Sequence, residues 1–208
     1  MPNFTDLTGL AGIASAMAAF VLLLPSAKRL ARSRLAMLQG VVFAVALIPF
    51  DGFPIAAYVR GASGDLSITT MVLLWCALLR PWSKTSHGCA VADSSNRRAL
   101  LALIALAAVV LYPMALGLGA FDPYRLGYGN WVFVTVLLLV ALAGWFRRYY
   151  PVALCVALAA LAWAIGWYES GNLWDYLLDP FVAIYALFAL LMSALVQIRS
   201  AAHRDEHA

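Results

Sequence analysis

Arg60 (YVRGASGD) and Arg125 (DPYRLGYGN) are the two side chains in this sequence best suited to specific chemistry. A guanidinium offers a planar fork of donors that captures a phosphate or carboxylate bidentately. Both arginines fall in short polar segments, 51–65 and 121–130. With segment 169–180, these hold Asp51, Asp65, Asp122, Glu169, Asp175 and Asp179. The same segments supply Tyr124, Tyr128 and Trp174, rings that can pack on a ligand. The expected ligand-binding set is therefore Arg60, Arg125, Asp65, Asp175, Trp174, Tyr124 and Tyr128. In a catalytic site, Asp51, Asp122 or Glu169 would serve as acid, base or cation ligand. The plainer expectation pairs Arg60 with Asp65 and Arg125 with Asp122, or sends both to lipid headgroups. The sharper one brings both arginines and some carboxylates into a single polar cleft.

The remaining reactive residues lack the company that chemistry requires. His203 and His207 have the i,i+4 spacing of a metal pair, but sit in a charged tail, AAHRDEHA, with no further ligand in reach. No metal site and no cofactor are expected. Cys76, Cys89 and Cys155 form no C-x-x-C pair, so neither a disulfide nor redox chemistry is expected. Ser86-His87-Gly88 is too short and too exposed for a nucleophile site. No stretch carries the His, Cys or paired-carboxylate spacing of phosphatases, CDP-alcohol transferases, rhomboids, exosortases or thiol oxidoreductases. Three segments place an aspartate before a helix breaker and an aromatic: Phe50-Asp51-Gly52-Phe53-Pro54, Phe121-Asp122-Pro123-Tyr124 and Leu178-Asp179-Pro180-Phe181. Their intervals are unequal, so they are not a repeat. For Asp179 the pattern predicts an N-cap followed by proline at the first helical position.

The chain that must position these groups has 208 residues, 64% of them hydrophobic and 12% charged. A soluble domain is about half apolar and about one quarter charged. The sequence is read as an all-α integral membrane protein. A helical span needs roughly 17 to 25 apolar residues, which gives seven runs: 7–25, 35–50, 66–82, 99–120, 131–146, 151–168 and 181–198. The runs are unbroken and rich in Leu and Ala, which excludes the alternating strands of a barrel. The expected architecture is one polytopic domain over residues 1–208, a bundle of seven transmembrane helices.

Charge sets the orientation, because cytoplasmic loops collect Lys and Arg. With Ser26–Arg34 inside, all fourteen basic residues except Arg60 and Arg125 fall on the cytoplasmic side. The N-terminus is then outside and the C-terminus inside, and localisation to a bacterial inner membrane follows. The first run is not expected to be a cleaved signal peptide, since Met1–Leu7 carries no basic residue and the cluster follows the run. The net charge of +4 is accounted for by the inner loops, so no nucleic-acid partner is expected. Ser83–Arg98 is the expected polar linker. Trp82, Trp145, Tyr149 and Tyr150 on one side, and Tyr124, Tyr128, Trp131, Trp167, Tyr168, Trp174 and Tyr176 on the other, are expected at headgroup depth. Small pairs (Gly12/Ala16, Ala14/Ala18, Ser15/Ala19, Ala153/Ala157) predict close helix contacts. Pro49 and Pro113 are expected to kink or end their helices.

No ionisable residue lies mid-span, which weighs against a proton-coupled pump. The seventh run has no lysine for a retinal Schiff base. Ser15, Gln39, Thr69, Thr70, Thr135 and Ser193 are expected to hydrogen-bond between helices. The function expected from these readings is a non-enzymatic membrane component. It would bind membrane lipids, a partner membrane protein or a small solute through its periplasmic loops. The alternative is an enzyme acting on a lipid-linked or phosphate-bearing substrate at that face. A small carrier is the third reading.

Overall fold

The computed structural model describes residues 4–79 and 94–205. Residues 83–93 of the expected linker lie outside this range, as do Trp82, His87, Cys89 and His207. The described chain is all-α apart from one minimal hairpin. Its helices are α1 (Phe4–Phe20), α2 (Arg32–Ala46), α3 (Ile55–Ser63), α4 (Ile68–Leu79), α5 (Ser94–Ala115), α6 (Trp131–Phe146), α7 (Tyr150–Ala164), α8 (Leu173–Leu177) and α9 (Pro180–Asp205).

Among the described residues three stretches are long and apolar enough to cross a membrane: Phe4–Leu23, Ser95–Ala115 and Pro180–Ser200. α4, α6 and α7 are apolar but shorter, and α2 opens on Arg32 and Arg34. Large apolar side chains such as Phe20, Leu106, Leu139 and Phe188 stand exposed along the helices. A surface this apolar is suited to lipid, because water-soluble monomers rarely expose continuous apolar patches beyond a few hundred Å².

The helix ends differ from the apolar runs for local reasons. α5 stops at Ala115, not 120, because Gly117 turns left-handed at φ +88°. The Leu118 N–H then closes on the Pro113 carbonyl at 3.0 Å and the Gly117 N–H on the Met114 carbonyl at 3.1 Å, the paired bonds of a left-handed helix stop. α7 stops at Ala164, not 168, in the same way. Gly166 has φ +65°, and the Trp167 N–H reaches the Ala162 carbonyl at 2.9 Å. α2 ends at Ala46, ahead of Pro49. There Pro49–Phe50 (β1) pairs antiparallel with Phe53–Pro54 (β2). Asp51 and Gly52 have φ +50° and +90°, the double positive φ of a type I′ hairpin turn. Pro113, in contrast, lies inside α5, two residues before its end.

α1 packs against α2, α3 and α4, α7 packs against α4, α5 and α6, and α5 lies along α9. Ala14, Ala46, Ala56, Ala159 and Ala186 are completely buried. A methyl at each contact lets the backbones approach closely where lipid offers no hydrophobic driving force. Ala14/Ala18 and Ser15/Ala19 are buried as expected. Ala157 faces outward, so the buried seam of α7 runs instead through Cys155 and Ala159.

Two expectations are corrected. Most hydroxyls within the helices do not bridge helices. Ser15, Thr135 and Ser193 donate to the carbonyls of Ala11, Trp131 and Ala189 one turn back in their own helices, which satisfies them without a partner. Thr70 is the exception and crosses from α4 to Asp179. The cysteines are not all thiols either. Cys76 of α4 is disulfide-bonded, while Cys155 is a buried free thiol.

Candidate functional site

The polar residues singled out by sequence gather at the end of the bundle that carries α3 and α8, in three bonded groups. The first is built on α3. Its amphipathic turn delivers Arg60 to Asp65, Nε to Oδ1 at 2.6 Å and Nη2 to Oδ2 at 3.0 Å, a bidentate pair. The Nη1 group adds Asp6 of α1 at 2.9 Å. The Arg60 side chain is only 17% exposed. The hydrogen bonds that Arg60 donates to Asp65 are the largest influence holding its proton more firmly than usual; burial opposes them, and Asp6 and nearby Glu169 add to them. Arg60 is thus fully committed to carboxylates of its own chain. Asp6 was not singled out for this role, since nothing in the spacing of residues 6 and 60 brings them together.

The second group joins segment 122–130 to segment 168–178. Asp122 accepts the Tyr124 N–H at 2.9 Å and starts the 3-10 turn Pro123–Gly127. The Tyr124 hydroxyl donates to the Asp175 carboxylate at 3.0 Å, and the Ser170 hydroxyl donates to the same group at 2.5 Å. Burial, then the Asp175 charge, raise the Tyr124 pKa, so the phenol remains a donor. Asn172, completely buried, donates to the Tyr124 carbonyl at 3.0 Å and caps α8 by accepting the Trp174 N–H at 2.9 Å. The Trp174 indole donates to the Pro123 carbonyl at 3.0 Å. Tyr128 meets the Tyr124 ring edge-on at 5.9 Å.

Tyr176 is completely buried and Tyr168 nearly so, a correction to their expected place at the membrane interface. Their rings lie 5.3 Å apart, the Tyr168 N–H donates to the Tyr176 oxygen at 3.1 Å, and the Tyr176 hydroxyl donates to the carbonyls of Tyr168 at 3.1 Å and Ser170 at 3.0 Å. Tyr168 also feels the charges of Asp65 and Arg60, so this pair links the first group to the second. The Thr8 hydroxyl donates to the Trp167 carbonyl at 2.5 Å and ties α1 to the same layer.

The third group is the α9 cap. Asp179 is 5% exposed. Its Oδ1 accepts the Val182 N–H at 2.9 Å, the N-cap expected from sequence. Its Oδ2 accepts the Ser67 N–H at 2.8 Å and the Thr70 hydroxyl, which the sequence did not foretell.

Arg60 and Arg125 are therefore not brought together by any hydrogen bond or ion pair among the described residues. Arg125 is exposed, and the Asp122 side chain expected to pair with it caps a turn instead. Asp51 is a turn residue, its carbonyl contacted by the Tyr58 hydroxyl at 3.3 Å, and Glu169 is exposed. Among the described residues no cluster of three or more His, Cys, Asp or Glu could hold a metal ion. Exposed rings of Phe121, Tyr128 and Trp131 flank Arg125 in sequence. What this end can do chemically is present a stiff, hydrogen-bonded surface bearing aromatics and the exposed Arg125. No family model, characterised protein or solved structure matches this chain.

Proposed function

We propose that the chain is a non-enzymatic component of a bacterial inner membrane, docking a partner membrane protein on the Arg125 side of its periplasmic face. One observation carries this reading: Asp6, Asp65, Asp122, Asp175 and Asp179 are all engaged in bonds that hold the layer together. A general acid or base must be able to reach a substrate proton, and these cannot without dismantling their own support. Arg125, with Phe121, Tyr128 and Trp131, has the composition of an interface anchor. Complementation of a deletion strain tests it. Arg125→Glu with Tyr128→Ala should abolish function at normal membrane levels, while Asp51→Asn and Glu169→Gln should leave it within twofold. The opposite pattern would move the reading to the periplasmic enzyme, since among the described carboxylates of that face Asp51 and Glu169 are the two whose side chains hold no part of the layer in place.

The proposed topology is seven spans with the N-terminus outside. α6 has 16 residues, about 24 Å at 1.5 Å per residue, against a hydrocarbon core of roughly 30 Å. Trp131 and Tyr128 at one end and Trp145 and Tyr149 at the other are all exposed and would anchor a short helix in a locally thinned bilayer. The Cys76 disulfide weighs the other way, because such bonds persist in oxidising compartments and this topology turns that end of α4 to the cytoplasm. The charge argument is stronger, resting on twelve basic residues rather than one bond. Reporter fusions after Arg34, Arg98, Arg148 and Ala208 should be active in the cytoplasm, and fusions at Ala62, Arg125 and Gly171 in the periplasm. A periplasmic signal after Arg98 would overturn the model of seven spans.

A further inference from the structure

From sequence, segment 51–65 is expected to be a polar outer loop, but in the structure its polar side faces inward and its apolar side outward. α3 has a single charged residue, Arg60, and it is turned onto α1. A Cβ at Gly9 would overlap both the Arg60 and the Asp65 side chains, so that pair lies directly on the α1 backbone. Ala56, one turn before Arg60, is completely buried. The opposite side of α3 carries Tyr58 and Ala62, four residues apart and both exposed, with Val59 exposed beside them. α3 therefore presents no charge outward.

The hairpin ahead of it extends the same surface. Phe50 and Phe53 are register partners, and their side chains stand 69% and 63% exposed. The Phe53 ring meets Tyr58 edge-on at 6.2 Å, and the Tyr58 hydroxyl donates to the Phe50 carbonyl at 3.0 Å. Hairpin and helix thus form one aromatic shelf. The shelf continues an exposed stripe of α2 and its exit, Met37, Val41, Val45 and Ile48, at the spacing of one helix face.

Two features select what covers the shelf. Pro49 and Pro54 are partners at the open end of the hairpin, and neither has an N–H. A strand from a second copy would find no donor there, whereas lipid would strand none. The shelf also has almost nothing for a charged partner to read: between Ile48 and Val59 the one charged residue is Asp51, at the tip of the turn.

We propose that the hairpin and α3 are an interfacial lipid anchor. Phe50, Phe53 and Tyr58 sink into the boundary between headgroups and acyl chains, Asp51 stays at headgroup level, and the bonds of Arg60 to Asp65 and Asp6 clamp the shelf to α1. The nine residues of α3 span about 13 Å, too short to cross a core of roughly 30 Å. Interfacial helices instead lie about 5–10 Å deep at that boundary. The anchor uses a different surface from the Arg125 docking face. It requires a membrane around the bundle but not the proposed orientation.

The test places photoreactive benzoylphenylalanine at position 53 of the full chain in phospholipid nanodiscs and identifies the adducts by mass spectrometry. The same residue at position 139, on the exposed middle of α6, is the lipid reference, and at position 169 the water reference. Lipid adducts at position 53 should come within about twofold of those at 139 and exceed those at 169 by about fivefold. Phe50→Asp should lower the yield at position 53 by about threefold, because a second carboxylate draws the turn toward water. A yield at 53 no higher than at 169 would overturn the proposal by placing the shelf in water. Adducts joining two copies of the chain would also overturn it, by showing that protein covers this face.

Discussion

Asp179→Ala should be among the most destabilising single changes in the protein, lowering stability by about 3 kcal/mol or more. The carboxylate is 5% exposed and holds three donors at once, the Val182 and Ser67 amides and the Thr70 hydroxyl. Hydrogen bonds to an ionised acceptor are about twice as strong as neutral ones. A buried donor left without a partner costs about 1–3 kcal/mol. Alanine strands two backbone amides that have no water to turn to; the Thr70 hydroxyl can swing to Ser67, 3.1 Å away. Asp179→Asn should recover part of the loss. Its carbonyl oxygen can still cap Val182, but its NH₂ group then faces the donors of Ser67 and Thr70. Thr70→Val should cost only about 1 kcal/mol, since Asp179 keeps both amides. The measurement is reversible unfolding in mixed micelles followed by helical circular dichroism. If Asp179→Ala stays within about 0.5 kcal/mol of the unaltered protein, the cap is not what fastens α9 to α4.

The sequence makes plain what depends on neighbours along the chain. The Asp179-Pro180 start of α9 is a local pattern, because an N-cap bonds only its own first turn. α6 fills its expected range, Trp131–Phe146, since Asn130 caps it by accepting the Val132 and Phe133 amides. The apolar runs likewise show where helices occur. Their ends were misjudged where hydropathy continues through a glycine: Leu116, Leu118 and Ile165 are as apolar as the helices they follow, and only the left-handed turn at Gly117 or Gly166 stops them. The site was half legible. The Arg60–Asp65 pair is five residues apart and readable. Asp6 with Arg60, Tyr124 with Asp175, and Thr70 with Asp179 are joined across 54, 51 and 109 positions. A single chain carries no signal of those pairings, because they depend on which helix ends finish side by side. Tyr168 and Tyr176 follow the same logic. Aromatic composition suggested an interfacial belt, and tertiary packing placed them in the interior.

A steric prediction tests whether the loop layer behaves as one unit. A Cβ at Gly127 would overlap the Asn172 side-chain amide, so Gly127→Ala should destabilise by about 2–3 kcal/mol, the upper range for overpacking. Asn172→Ala should cost a similar amount by a different route. It strips the Tyr124 carbonyl of its donor and the Trp174 N–H of its acceptor, both in a buried layer. Independent effects would add to roughly 5 kcal/mol in the double variant. They should not add here. The severe overlap needs the Asn172 amide to be present, so once residue 172 is alanine the methyl at residue 127 keeps only its 2.9 Å approach to the Trp174 ring. The double variant should sit nearer to Asn172→Ala alone than to the sum, a coupling of about 1–2 kcal/mol between positions 45 residues apart. Unfolding midpoints of the four proteins in one detergent give that coupling directly. Strict additivity would mean that segments 122–130 and 168–178 do not meet through this contact, and the rigid surface on which Arg125 is displayed would lose its foundation.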